Sequence, residues 1–207
     1  MAKNGKRKGA WAFGVAFAAF SGVVALGWLY QVDLWVLRAA QEHSSSFLDG
    51  ALGVLSFPGG VEITGMALLV LLAGLFLQGR WALAGRILVV FVATGMLKLV
   101  VKLYLPQVPM PEDVGRTEDY APLVARDYSY PYPSGHMLRS VIVFGALYLL
   151  SGTWFLRAGF LAVLVGIAAN RILLGMHWAS DVVGGVLLGI AALLWASAKE
   201  DLGWRSR

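Results

Sequence analysis

Cysteine is absent from the 207 residues. That absence excludes a disulfide scaffold, a thiolate zinc site, an iron–sulfur cluster and a cysteine nucleophile. Charge is scarce as well, at 14% of residues, where water-soluble chains carry about 25%. What takes its place is apolar: 58% of residues are hydrophobic, and a chain this short cannot bury so many side chains in one core. Lipid is the solvent that fits this composition.

The formal charge of +5 raises the question of a nucleic-acid partner. The basic residues answer it by position. Lys3, Lys6, Arg7 and Lys8 precede the first apolar run, Arg80 and Arg86 flank a short gap, Arg157 lies in another gap, and Arg205 and Arg207 follow the last run. This is the pattern of cytoplasmic anchors beside membrane spans and not of a base-reading surface.

About 20 mainly apolar residues are needed to cross the hydrocarbon core, and the sequence predicts six spans, near 11–30, 61–78, 84–105, 137–154, 158–174 and 182–198. The first has a basic flank like that of a secretory signal. It is long for one, and no small-residue cleavage site precedes a polar segment, so it is read as a span. The expected architecture is all-α and polytopic, a single membrane domain over 1–207. Between the first and second spans, the apolar spacing of Leu34-Trp35-Val36-Leu37, Phe47-Leu48, Ala51-Leu52 and Val54-Leu55 predicts amphipathic helix lying at the interface.

Lys/Arg bias sets topology and places both termini in the cytoplasm of a cell (plasma or inner) membrane. The acidic residues Asp33, Glu42, Asp49 and Glu62, and then Glu112, Asp113, Glu118, Asp119 and Asp127, fall in two outer segments. The second of these, from Pro106 to Pro133, is rich in proline, acid and tyrosine and has no helical period.

Ionisable residues within apolar runs are functional candidates by default, and here the topology brings them to one side at one depth. Lys98 and Lys102 end the third span, Arg139 lies near the start of the fourth, and Arg171 ends the fifth. His136, His177 and Asp181 flank them. Lys and Arg together suit phosphate oxygens. Tyr132-Pro133-Ser134-Gly135-His136 opens a helix whose hydroxyl and free N–H groups can hold an anion. Asp181, four residues after His177, can share a helical face with it and fix its tautomer. Two histidines, an orienting acid and several phosphate-binding groups suffice for covalent phosphoryl transfer without a metal.

These residues resemble the type 2 phosphatidic acid phosphatases, integral-membrane lipid phosphatases related to vanadium haloperoxidases. The motif Pro-Ser-Gly-His is present at Pro133, Ser134, Gly135 and His136. The motif Ser-Arg, five residues, His, three residues, Asp is matched by Arg171, His177 and Asp181, with Asn170 in place of serine. The motif Lys, six residues, Arg-Pro is matched at Lys98 and Pro106, with Leu105 where the family has arginine. The resemblance spans Lys98 to Asp181.

The resemblance implies a mechanism. His177 attacks phosphorus, Asp181 holds its other ring nitrogen, and His136 protonates the leaving group and then activates water. Lys98, Ser134, Gly135 and Arg171 bind the phosphate oxygens. No metal or other cofactor is implied, and the partner is a membrane lipid, with the site on the extracytoplasmic face. Undecaprenyl diphosphate is the first substrate expected, followed by phosphatidylglycerol phosphate and phosphatidic acid. Leu105 removes one cation: either the site works with Lys98 and Arg171 alone, or Lys102, Arg116, Arg126 or Arg139 replaces it, with Lys102 also readable as a snorkelling side chain and Arg139 as a helix-end anchor. A non-catalytic lipid-phosphate-binding or transport protein, and a membrane scaffold, are the competing readings. His43 reads as an ordinary surface residue, Tyr128, Tyr130 and Tyr132 as interfacial aromatics, and Gly184, Gly185 and Gly189 as positions of close helix packing.

Overall fold

The computed structural model describes residues 3–43, 45, 50–51, 53–54, 57–111, 114 and 130–199. Its long elements are all helices: α1 (Lys3–Ala25), α2 (Tyr30–Glu42), α3 (Val61–Leu77), α4 (Trp81–Tyr104), α5 (Gly135–Leu150), α6 (Trp154–Leu173) and α7 (Ala179–Ser197). The all-α expectation holds. Four of them, α1, α4, α6 and α7, are long and apolar enough to cross a membrane. The apolar helices α3 and α5 are shorter, with 17 and 16 residues.

Helix ends differ from the sequence reading where turn chemistry overrides hydropathy. The first helix runs from Lys3 to Ala25 rather than from 11 to 30, because Gly27 at φ 71° turns the chain and Tyr30 opens α2. The fourth and fifth runs divide at Ser151-Gly152-Thr153, so Trp154 starts α6 instead of closing α5. Ser, Gly and Thr favour a turn there although the flanks are apolar. Part of the expected amphipathic stretch after α2 lies outside the described residues. Within α2, Asp33 and Leu37 are buried while Val32 and Trp35 are exposed.

Helix α7 is the axis of the fold. It packs on α1, α4 and α5 and touches α2 and α6, and 56% of its apolar window is buried against 17–28% in the other long helices. Close contact with α5 depends on small residues. A Cβ on Gly185 would stand 2.6 Å from the Ser134 carbonyl oxygen, and one on Gly189 2.8 Å from Val141 Cβ, so glycine lets the two backbones meet. The main core joins Phe17 and Val24 of α1, Leu71 and Leu75 of α3, Leu83 and Ile87 of α4, Leu138 and Ile142 of α5, and Leu188 and Leu193 of α7. The outward faces carry Trp11, Leu69, Val70, Phe76, Leu77, Trp81, Val89, Trp154, Phe155 and Val165, all exposed. Apolar cover of that extent is what a lipid-facing surface presents.

The chain direction separates the two ends of the bundle. At one end α4 and α6 finish while α5 and α7 begin. At the other, α7 ends with its carbonyls capped by cations: Arg86 Nε donates to Ala196 O at 2.8 Å and Lys6 Nζ to Ser197 O at 3.4 Å.

Candidate active site

The site is built where α5 and α7 begin, so two helix N-termini open on the same end of the bundle. After α6, Gly175 at φ 63° reverses the chain under Val114, whose carbonyl oxygen would lie 2.3 Å from a Cβ there. His177 follows the turn. Asp181, in the first turn of α7 and wholly buried, accepts a hydrogen bond from Trp178 N at 2.9 Å through Oδ2. The same oxygen meets His177 Nδ1 at 3.0 Å. That contact leaves Nε2 as the ring atom turned from the acid. His177 has 12% of its side chain exposed. Burial pulls its pKa below the ordinary value, Asp181 opposes the shift, and Lys102 and Arg171 add to it.

The Pro-Ser-Gly-His segment is tied to this turn by main chain, since Ser134 N donates to Asp181 O at 2.9 Å. Ser134 caps α5, its buried Oγ accepting from Met137 N at 3.5 Å. The hydroxyl assigned to phosphate from sequence therefore faces the helix. Tyr132 departs from its expected place at the membrane interface. It is fully buried, its hydroxyl 2.9 Å from Ser21 Oγ, its ring stacked on Phe17 and lodged where a Cβ on Gly184 would come within 2.4 Å. Burial pushes its phenol up to about 12. A hydroxyl partner on α1 and a glycine on α7 make that burial possible, and neither is visible from residue 132 alone.

The cations converge on Gly135. The position of a Cβ on this residue is 3.3 Å from Lys98 Nζ and 3.2 Å from Arg139 Nη1. Arg171, Arg139, His177 and Lys98 all lie within electrostatic reach of the His136 ring. Arg171 Nη1 also stands 3.1 Å from Met176 Sδ. Lys102 is turned aside: its Nζ donates to the carbonyls of Pro131 and of Tyr130, the latter at 3.4 Å. Leu105 ends α4 in an extended conformation and packs against the main core. Arg116 and Arg126 lie outside the described residues. His43 is exposed and bonds to Ala39 O at 2.9 Å, within its own helical turn.

Sequence reasoning missed two polar residues here. Gln107 Nε2 donates to Asp181 Oδ1 at 2.6 Å, and its Oε1 accepts from Tyr132 N at 3.2 Å. Asp33, from α2, accepts from Ser180 N at 2.8 Å and from Ser180 Oγ at 2.7 Å, so a second helix caps α7. Burial raises the Asp33 pKa above the ordinary carboxylate value, against the lowering effect of the Ser180 hydrogen bonds. A polar residue just after Leu105-Pro106 was the one available signal for Gln107.

The sequence pattern of the PAP2 superfamily matches residues 79–201, which include Lys98, Gln107, Ser134, His136, Arg139, Arg171, His177 and Asp181 but not Asp33 or Ser21. The chain belongs to the PAP2 superfamily. Among its relatives in that superfamily is phosphatidylglycerophosphatase B of Bacillus subtilis, 33% identical over 129 residues. That match covers 57% of this chain and 58% of the relative, so the chain spans less than two thirds of the curated protein. A crystal structure of a transmembrane PAP2-type phosphatidylglycerolphosphate phosphatase from Bacillus subtilis has the same fold, with a TM-score of 0.67 at 22% identity. It covers 91% of this chain and 94% of its own. With a transmembrane neighbour of this fold and four helices able to cross a bilayer, this PAP2 chain is a membrane protein.

Proposed function

We propose that this protein is a lipid phosphatase that works through a phosphohistidine on His177, without a metal. The observation that carries the reading is the His177–Asp181 pair, 3.0 Å apart, beside a cluster of Lys98, Arg139 and Arg171 at the start of α5. Cations around two imidazoles attract a phosphate and repel a metal ion.

The first step transfers the phosphoryl group. With Nδ1 held by Asp181, Nε2 has the lone pair that attacks phosphorus, the P–O bond to the lipid breaks, and His136 gives a proton to the departing oxygen. In the second step His136 takes a proton from water, the water oxygen bonds to phosphorus, and the P–N bond breaks to release inorganic phosphate. Lys98, Arg171 and the N–H groups at Gly135 neutralise the charge on the phosphoryl oxygens in both steps. Ser134 acts chiefly by shaping that N-terminal turn.

Phosphatidylglycerol phosphate becomes the first substrate, ahead of the undecaprenyl diphosphate expected from sequence. Both named relatives act on phosphatidylglycerol phosphate by their names, and nothing in the geometry favours a polyprenyl chain. We read α3 and α5 as two further spans beside the four long helices, because at 1.5 Å per residue they would reach about 24–26 Å, near the hydrocarbon thickness. Lys6 and Arg86 at the far end of α7 support a cytoplasmic location for that end and an outer location for the site.

The experiment is phosphate release from phosphatidylglycerol phosphate by the purified chain in detergent with EDTA. Activity is expected to persist with EDTA and to disappear in His177→Ala. A requirement for added divalent metal, or wild-type turnover by His177→Ala, would overturn the mechanism. The competing reading, a lipid-phosphate-binding protein without turnover, predicts tight vanadate binding and no phosphoenzyme on rapid quenching.

A further inference from the structure

Of the cations proposed to stand in where Leu105 leaves the motif short, the structure describes Lys102 and Arg139, and the two are turned differently. Lys102 is spent on the carbonyls of Tyr130 and Pro131, which fixes the chain leading into Ser134. Arg139 has a different orientation. It lies three residues after His136 and four after Gly135 on α5, and helical side chains lean toward the N-terminus of their own helix. The guanidinium is thereby carried back over the first turn of α5. There Nη1 lies 3.2 Å from the Cβ position of Gly135, and Lys98 Nζ 3.3 Å from the same point. Arg171, arriving from α6, is an electrostatic neighbour of Arg139.

We infer that Arg139, carried back over the first turn of α5, binds substrate phosphate beside Lys98. The inference rests on the phosphatase reading above and adds a residue to it. Among the described residues Lys98, Lys102, Arg139 and Arg171 lie within electrostatic reach of one another, of the two histidines or of Asp181. Glycine at 135 belongs to the same arrangement, because any Cβ would press on both cations.

The test compares the full chain in detergent with Arg139→Met, Arg139→Lys and His177→Ala. It measures kcat/KM on phosphatidylglycerol phosphate and the inhibition constant of inorganic phosphate. Arg139→Met should lower kcat/KM and raise the phosphate inhibition constant, each roughly 10- to 100-fold. Arg139→Lys keeps the charge but loses the planar fork, and should fall between the two. A wild-type phosphate inhibition constant in Arg139→Met overturns the inference. Should that variant not fold, an unchanged constant in Arg139→Lys overturns it instead. His177→Ala separates the two claims: if it is inactive while Arg139→Met behaves as wild type, only the role of Arg139 fails, whereas an active His177→Ala sinks the phosphatase mechanism itself.

Discussion

Gln107 Nε2 lies 2.6 Å from Asp181 Oδ1, on the carboxylate oxygen opposite the one that meets His177. Its other end accepts from Tyr132 N at 3.2 Å, so one amide joins the acid of the pair to the segment that leads into Ser134. We read Gln107 as a positioning residue for the proposed reaction. In Gln107→Ala the carboxylate loses a donor and gains freedom to swing, and kcat on phosphatidylglycerol phosphate should fall about 10-fold with little change in KM. Gln107→Glu cannot donate at neutral pH and sets a second carboxylate against Asp181, so it should fall further. Wild-type kcat in both variants would remove Gln107 from the site.

His177 gives stability a pH dependence of definite sign. Its folded pKa is lowered, chiefly by burial, so the unfolded chain takes up a proton near pH 6.5 before the folded chain does. The stabilising effect of the neutral ring is complete above that pH and is lost as the pH falls through it. Thermal midpoints in detergent from pH 8 to 5 should drop more steeply for the wild type than for His177→Asn. Parallel curves would contradict the burial of this imidazole.

Gly185→Ala tests the contact between α5 and α7. The new methyl would meet the Ser134 carbonyl oxygen at 2.6 Å, which should destabilise the fold by about 1–3 kcal/mol and displace the start of α5. Gly74→Ala, in α3 with nothing within 4 Å of its Cβ position, serves as control and should be neutral or slightly stabilising. Equal melting of the two variants would show that the close approach is not needed.

Asp33→Ala should also lower stability by about 1–3 kcal/mol, because the buried Ser180 N–H and hydroxyl both lose their acceptor. Asp33→Asn keeps one acceptor oxygen and relieves the burial of a carboxylate, so its loss should be smaller. Chemical denaturation in detergent micelles reads both, and an unchanged Asp33→Ala would deny the cap.

What was legible in the sequence were the features that depend on local pattern. Long apolar runs revealed helices, and motif spacing singled out His136, His177, Asp181, Lys98 and Arg171, which the fold brings to one end of the bundle. Turn positions such as Gly27 and Ser151–Thr153 were overrun because hydropathy is averaged over a window wider than a turn. The roles of Tyr132, Gln107 and Asp33 were hidden for another reason. Each depends on a partner distant in sequence: Ser21, Asp181 and Ser180, respectively. The fate of Leu105 was only half readable, since its loss of charge is plain while its packing into the core and the approach of Arg139 to Gly135 emerge only from the folded helices.

The burial of Tyr132, together with the grip of Lys102 on the two carbonyls before it, bears on how the two halves of this protein stay together. Residues 130–132 are moored to α1, α4 and α7 by side chains, not by the peptide bonds that join them to Pro111. Loosening either anchor, in Tyr132→Phe or Lys102→Met, would let the segment that enters Ser134 drift from the acid to which its main chain is tied.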